Sequence, residues 1–573
     1  MSRTAFWFVF GFALCILFPT FSLAQPVDLV IKNGRIVTLD KKHPEVEALA
    51  ARGGKIIALG SNEDIDKVAP NPKKTIDLDG ELVIPGFIEG HAHFVGLGQS
   101  RMMLNLMHVE SWDEVVEMVA EAAKKAKPGE WIVGRGWHQS KWKSKPVPNV
   151  EGYPTDAALS KVSPNNPVLL THASGHMSFA NSYAMNLAGV NRNTKAPAGG
   201  EILRDSNGRP VGVFRETAQG LISRARARDV AKMTKEQRQA DFLKAIELAG
   251  EDCLRKGVTS FQDAGSTLGT VDQLKQLSSQ GKLPVRLYVM IRDRNELMAG
   301  RLKNYRMVGH GNNYLTVRAV KRSIDGALGP HGAWLLLPYE DLPMSSGLNT
   351  ASVESVTRTA ELAIENDFQC CVHAIGDRAN REVLDIYEKL FEKSPTQESR
   401  RWRIEHAQHL HPDDIKRFSK LSVIASMQGV HCTSDAIFVP KRLGFRRSKE
   451  GAYVWQSLLK SGAVVTNGID APVEDVNPIP SYFASVTRKL KDGSEFFPEQ
   501  KMSRMEALHS YTMANAYAAF EEDIKGSLSI GKLADIVILS QDILKCPDDK
   551  ILETKVLYTI VGGEVKYRAG QKK

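Results

Sequence analysis

Cysteine is scarce in this chain: six among 573 residues. Cys15 sits in the apolar N-terminal stretch, and the other five (Cys253, Cys370, Cys371, Cys432, Cys546) are odd in number and partly adjacent. Such a set excludes a disulfide framework and reads as buried free thiols. Long apolar runs are missing beyond the first two dozen residues, and mean hydropathy is −0.25, which excludes a polytopic membrane protein. There is no long basic run interleaved with aromatics. The net charge of +9 is spread along the chain and reads as a solvated basic surface, so no nucleic-acid partner is expected. Internal repeats and low-complexity segments are also lacking.

What remains is ordinary globular composition, 42% hydrophobic and 25% charged, in a chain long enough for one large domain and a smaller one. The first 24 residues stand apart. Arg3 is followed by an apolar stretch from Ala5 to Phe18, too short for a comfortable span, then Pro19 and the small-residue pattern Ser22-Leu23-Ala24. This reads as a secretory signal peptide cut near Ala24–Gln25. The expectation is a periplasmic or secreted protein with no membrane association after cleavage. Cys15 follows Leu14, where a lipoprotein signal needs a small residue.

Both ends of the mature chain are β-rich. "VDLVIKNGRIVTLD" (27–40) and "GKIIALGS" (54–61) read as hairpins punctuated by Asn-Gly and Gly, and "ADIVILS" (534–540) and "VLYTIVGGEVKY" (556–567) return the pattern. The two ends, 25–85 and 521–573, are expected to build one small β-sandwich-like domain. The middle, 86–520, alternates strand-like and helix-like stretches. Eight apolar runs end in polar residues: "LVIPGFIEGHAH", "VTSFQDAG", "VRLYVMIRD", "LTVRAVKRSIDG", "FQCCVHAIGD", "RWRIEHAQH", "SVIASMQ" and "AVVTNGIDAP". Helical patterns such as Ser352 to Glu365 and Ala379 to Glu392 separate them. Eight such units predict an α/β protein built on a (β/α)8 TIM barrel. The stretch from about 96 to 251 is too long for one crossover and reads as an inserted subdomain over the barrel mouth.

In such barrels the working residues stand at the C-terminal ends of the strands. The first run ends in His91 and His93, which share a face because side chains alternate along a strand. The fourth carries Lys321 and then Asp325; the fifth ends in His373, the sixth in His406, the eighth in Asp470. Each alone has an ordinary reading, as a core histidine, a solvated lysine or a loop cap. Together they place four imidazoles, an amine and a carboxylate on one face, a donor set suited to zinc and similar divalent metals. Their separation in sequence rules out a local zinc finger.

"LVIPGFIEGHAH", "VKRSIDGALG", "HAIGDRAN", "RIEHAQ" and "NGIDAPV", in this order and with "GSLSIGKLADIVIL" near the end, resemble the amidohydrolase superfamily. More narrowly they resemble its amidohydrolase-3 branch, which includes N-substituted formamide deformylase-like enzymes. The resemblance implies that His91 and His93 bind the more buried metal and that a carboxylated Lys321 bridges two metals. It further implies that His373 and His406 bind the second, and that Asp470 contacts metal and attacking water. The chain departs from the pattern at Glu89, where many relatives have Asp, and at Ile469, where Ser or Thr often precedes the aspartate.

The chemistry fits these residue types. A bound Zn²⁺ lowers the pKa of water from about 16 to about 7 and polarises a carbonyl. A carboxylate beside that water, here Asp470, can take its proton and pass it to the leaving nitrogen. The expected activity is therefore metal-dependent hydrolysis of a C–N bond in a small organic substrate, with one or two divalent ions, zinc foremost, per chain. Esters, lactones or carbamates would suit the same water. A catalytically silent binding or regulatory protein is disfavoured by the complete ligand set. Substrate contacts are expected from the insertion, at Trp137, His176 and Arg215, with Asp325 in a supporting hydrogen bond. Whether the chain forms a homo-oligomer is left open by the sequence.

Overall fold

The computed structural model describes Met1 and residues 26–396 and 398–571; apart from Met1, the expected signal peptide lies outside them. All eight apolar runs contain strands: β1 (Phe87–Ala92), β2 (Val258–Ser266), β3 (Arg286–Ile291), β4 (Leu315–Ser323), β5 (Gln369–Ala374), β6 (Arg403–His406), β7 (Ile424–Gln428) and β8 (Val465–Gly468). They pair in parallel and in sequence order from β1 to β8. Helices on the outer face make both faces of the strands buried, which is why the runs are nearly continuous in apolar residues. Helix Val353–Glu365 is capped by Ser352, which accepts from the Ser355 N–H, and buries Val356, Ala360 and Ala363 at helical spacing. Helix Asp377–Lys393 buries Val383, Leu384, Tyr387 and Leu390.

The last seam, β8 to β1, closes the ring differently. Two backbone bonds cross it, Asp470 N–H to His91 O at 2.7 Å and His93 N–H to Ala471 O at 2.8 Å. Side chains supply the rest. Asn515 Nδ2 donates to Ile88 O (2.6 Å) and Asn467 O (2.8 Å), and Glu89 Oε1 accepts from His91 N–H (3.0 Å) and Ile469 N–H (2.8 Å). Gly90 permits the approach: a Cβ there would lie 2.3 Å from Asn515 Oδ1 and 2.4 Å from Asn467 O. Glu89, one of the departures noted in the sequence, is thus part of the barrel's closure; burial raises its pKa to about 8.

The first apolar run divides at Gly86. Leu82–Pro85 joins a six-stranded sheet in the order 564–568, 556–561, 536–539, 82–85, 35–37, 45–46, and only residues from Phe87 enter the barrel. A second sheet runs 55–60, 48–52, 29–32, 75–77. Leu29, Ile31, Leu49 and Ile56 of this sheet share one core with Ile36, Val83, Ile536 and Ile560 of the other. The Asn33-Gly34 pair does not make the expected hairpin. Strand 29–32 pairs with 48–52 and 75–77, while 35–37 pairs with 45–46 and 82–85. With Asn33 in the left-handed region (φ 57°), the chain crosses from one sheet to the other instead of folding back. The Gly562-Gly563 turn does make a hairpin, between 556–561 and 564–568.

Between β1 and β2 lies a further six-stranded sheet (200–204, 210–216, 177–180, 168–172, 132–137, 104–105) with its own apolar core. It ends at Glu216. Helix Lys235–Arg255, which the sequence reading placed inside the insertion, sends Ile246, Ala249 and Cys253 into the main core beside Phe94 and Leu97. It therefore belongs to the barrel's outer layer. Among the described residues no helix is long and apolar enough to cross a membrane.

Candidate metal centre

At the C-terminal ends of the strands the predicted residues come together. His91 and His93 both turn Nε2 toward Asp470 Oδ1, at 3.7 and 3.3 Å, and one ligand atom from each of the three lies within 4.8 Å of the others. Lys321 Nζ is 3.5 Å from His91 Nε2. The His406 ring centroid is 4.6 Å from that of His91 and 4.5 Å from that of His373. Alternation along β6 explains part of this. Ile404 joins the outer core while Arg403 and Glu405 pair inside the barrel, so His406 should follow Ile404 outward. Its left-handed backbone (φ 77°) turns it into the centre instead, and Asp470 (φ 60°) is held the same way. Non-glycine residues in this region are uncommon and cluster where the surrounding fold imposes them.

Burial sets the charge states. It lowers the pKa of His91 to about 4, aided by the Lys321 charge and opposed by Glu405. It holds His373 and His406 well below the usual histidine range. These rings are neutral near pH 7 and present lone pairs. Burial also draws Lys321 down to about 8, with the Arg292 charge adding to it. Burial opposes ionisation of Asp470, but the neighbouring His93 and His91 outweigh it and hold the carboxyl well below the carboxylate range. His373 Nε2 and Asp470 Oδ1 are buried and lack a hydrogen-bond partner; their contacts to Asp325 (3.4 Å) and His93 (3.3 Å) are not aligned as hydrogen bonds. Unpaired buried polar atoms are costly. A cation held by His91, His93 and Asp470 would satisfy the Asp470 oxygen, and the neutral imidazoles and carboxylate present fit a divalent metal.

The supporting groups were not foreseen. His91 Nδ1 meets the Glu405 carboxylate, which fixes Nε2 toward the centre. Glu405 is in turn paired with fully buried Arg403 (2.6 Å), and Arg403 donates to Gly90 O and Ser426 Oγ, each at 2.7 Å. His406 Nδ1 lies 2.8 Å from Gln428 Oε1. Carboxylate and amide partners of this kind orient ligating histidines. The sequence signal was an Arg and a Glu two apart in a fully buried strand, "RIEH".

The cavity above these groups has a larger lobe of about 540 Å³ and a smaller one of about 70 Å³ lined by His138, Phe438 and His431; His176, His406 and Asp470 border both. His176, expected from the sequence at the substrate, lines both lobes. Its Nδ1 is 2.7 Å from Glu216 Oε2 and its ring centroid 5.1 Å from that of His373. Asp325 accepts the N–H groups of Trp334, Ile375 and Gly376 at 2.8–3.0 Å, and burial raises its pKa to about 7. Trp137 is a correction. Its side chain is fully buried, its indole N–H donates to Leu170 O at 3.0 Å, and it stacks on Trp142 within the inserted sheet's core. Arg215 is another: it pairs with Glu201 (2.6 Å) and Glu151 (2.8 Å) away from the cavity. In both cases a neighbour reaches the cavity, His138 after Trp137 and Glu216 after Arg215.

Similar proteins share this framework. "Protein LONG AFTER FAR-RED 3" of Arabidopsis thaliana is 34% identical over 94% of this chain and 91% of its own. "N-substituted formamide deformylase" of Arthrobacter pascens is 27% identical over 95% and 99%. The crystal structure of an uncharacterized metal-dependent hydrolase from Pyrococcus horikoshii superposes with a TM-score of 0.72 at 27% identity, covering 91% of this chain and 99% of that one. The model of the amidohydrolase family (Amidohydro_3) matches residues 74–567, and the chain belongs to that family.

Proposed function

We propose that this amidohydrolase is a metal-dependent hydrolase that cleaves a C–N bond of a small organic amide. The observation that carries the reading is the meeting of His91, His93 and Asp470, whose ligand atoms lie within 4.8 Å of one another, with Lys321, His406 and His373 beside them and with His373 Nε2 and Asp470 Oδ1 buried and unpaired. The deformylase activity in the name of the Arthrobacter relative supports the bond type. His91, His93, His373, His406 and Asp470 would hold the metal, with Lys321 beside His91. When bound, a divalent ion supplies Lewis acidity toward the carbonyl and acidity to water.

The chain's own residues do the rest. Asp470 accepts the proton of the attacking water on a carboxylate oxygen and delivers it to the departing nitrogen. Glu405 holds the His91 ring in one orientation. Lys321, with its pKa lowered to about 8, has a neutral fraction able to add to carbon dioxide. An N–C bond forms, the amine loses a proton, and the resulting carbamate offers two oxygens where an ammonium would repel cations. The test is elemental analysis together with turnover of an N-substituted formamide and amide panel. Chelation should abolish turnover and added zinc restore it. Full activity in a metal-free preparation would overturn the reading.

A further inference from the structure

The smaller lobe of the cavity is walled by Leu328, Pro330, Ile375, Phe438 and Val473, and His406 and Asp470 join it to the metal centre. Among the described residues, two side chains lining this lobe carry a buried polar atom without a partner: Asp470 Oδ1 and His431 Nε2. The proposed metal accounts for the first. The second has no part in the metal centre, although His431 lies close enough to His406 for its charge to be felt there.

His431 is 6% exposed and held from behind. It stands on helix Gly429–Asp435, directly after β7. Gly429 N–H donates to Asn467 Oδ1 (2.8 Å) and Val430 N–H to Ser481 Oγ (3.0 Å), which ties down the start of that helix. A chain of hydrogen bonds then sets the tautomer of the ring. Tyr453 Oη donates to Asp435 Oδ2 at 2.6 Å; burial raises the pKa of Asp435 to about 6, which leaves it a carboxylate near pH 7. With its proton so used, the Tyr453 hydroxyl accepts from Gln408 Nε2 at 2.8 Å. The same Gln408 nitrogen faces His431 Nδ1 at 3.4 Å. An amide nitrogen only donates, so Nδ1 accepts and the ring proton sits on Nε2. The unpaired Nε2 is therefore a donor, and a buried donor without an acceptor is costly until an occupant supplies one. Asp435 and Glu474 both line the lobe, against the single cation of Lys141. A further carboxylate would be repelled there, so the lobe suits an uncharged acceptor.

We propose that His431 donates from Nε2 to an uncharged oxygen or nitrogen acceptor on the substrate substituent that enters the smaller lobe, so that amides bearing an ether, carbonyl or ring nitrogen near the scissile bond are preferred to purely alkyl ones. The inference deepens the hydrolase reading and rests on it for turnover, but not for binding.

The test compares N-methoxyethylformamide with N-butylformamide, N-methoxypropylformamide with N-pentylformamide, and N-methyl methoxyacetamide with N-methyl butanamide, on the metal-loaded full chain. Within each pair one methylene is replaced by oxygen. In at least one pair the ether should be favoured in kcat/KM by about three- to tenfold, the worth of a neutral hydrogen bond. His431→Leu should bring that ratio to about one, as should His431→Phe, which keeps the bulk of the ring if the leucine variant does not fold. His431→Gln, whose amide N–H can reach the place of Nε2, should keep part of the preference. The ratio is read within each variant, so a general loss of activity does not alter it. A ratio near one in every pair, or one retained by the variants that lack a donor, overturns the proposal. If no amide is turned over, the C–N hydrolase reading fails for this class, and ligand-observed NMR titration of the same pairs decides the binding side. An ether advantage in affinity of about threefold or more that is lost in His431→Phe upholds the contact. Equal affinities, or an advantage that the variant retains, reject it.

Discussion

Single residues at the centre have separable jobs. Asp470→Asn keeps the shape but removes the basic oxygen. A lost general base costs about 10²–10⁴-fold in rate, so kcat should fall by that much while metal content, read by elemental analysis, holds. Near-normal turnover would move the proton transfer to another group. Glu405→Gln addresses orientation: removing a partner of a ligating histidine typically costs about 10–100-fold in metal affinity, which chelator competition would register. An unchanged affinity would show that Arg403 and Glu405 serve the barrel and not the site. The residues that meet at the centre were legible because histidine, lysine and aspartate at the ends of apolar runs have few other uses. Glu405 and Gln428 were missed because their work depends on a partner more than twenty residues away in sequence. Trp137 and Arg215 were misread because a strand presents alternate faces, and the sequence did not tell which face of the inserted sheet looks into the cavity.

Among the elements, helix Lys235–Arg255 is the one the sequence assigned to the wrong layer. Its amphipathic pattern was visible, but what it packs on is a tertiary fact. Asp252 near its end is buried and fixes it to the neighbouring helix Phe94–Ser100 and to its own last turn, pairing with Arg101 (3.0 Å) and Lys256 (2.9 Å). Burial opposes ionisation of Asp252, and Lys256 and Arg101 outweigh it, taking the pKa from 3.8 to about 2. The folded value lies below the unfolded one. The contribution, on the order of 2 kcal/mol, is therefore fully present above about pH 4 and is lost as pH falls from there through about 2. Asp252→Asn should lower the denaturation midpoint near pH 6 and leave a shallower fall in stability between pH 4 and 2. Parallel curves for the two proteins would refute the assignment. The eight barrel strands were readable from their apolar runs; the Asn33-Gly34 hairpin was not, because a left-handed residue turns the chain without specifying which strand it will pair with.

The whole molecule ties closure of the barrel to assembly of the centre. The two backbone bonds that close the seam belong to His91, His93, Asp470 and Ala471, three of them in the proposed metal set. Asn515→Ala leaves the Ile88 and Asn467 carbonyls without a donor, each worth about 1–3 kcal/mol when buried. The variant should lose several degrees in melting temperature and hold metal more weakly, with excess zinc restoring part of the melting temperature by mass action. A lower melting temperature with unaltered metal affinity would separate closure from the site.

Strand Leu82–Pro85 stands one residue before β1 and pairs on one side with Arg35–Val37, but on its other side with Ile536–Leu539. Viewed as a matter of time, a growing chain makes His91 early and must then wait some 450 residues for the strand that anchors its neighbour. At 5–20 residues per second this is roughly twenty seconds to a minute and a half. Throughout that interval the nascent protein carries an open apolar sheet edge, a template for pairing with other chains. Activity in a synchronised translation reaction should therefore rise only with the full-length product, and the demand for chaperones should fall mainly on the chain still being made.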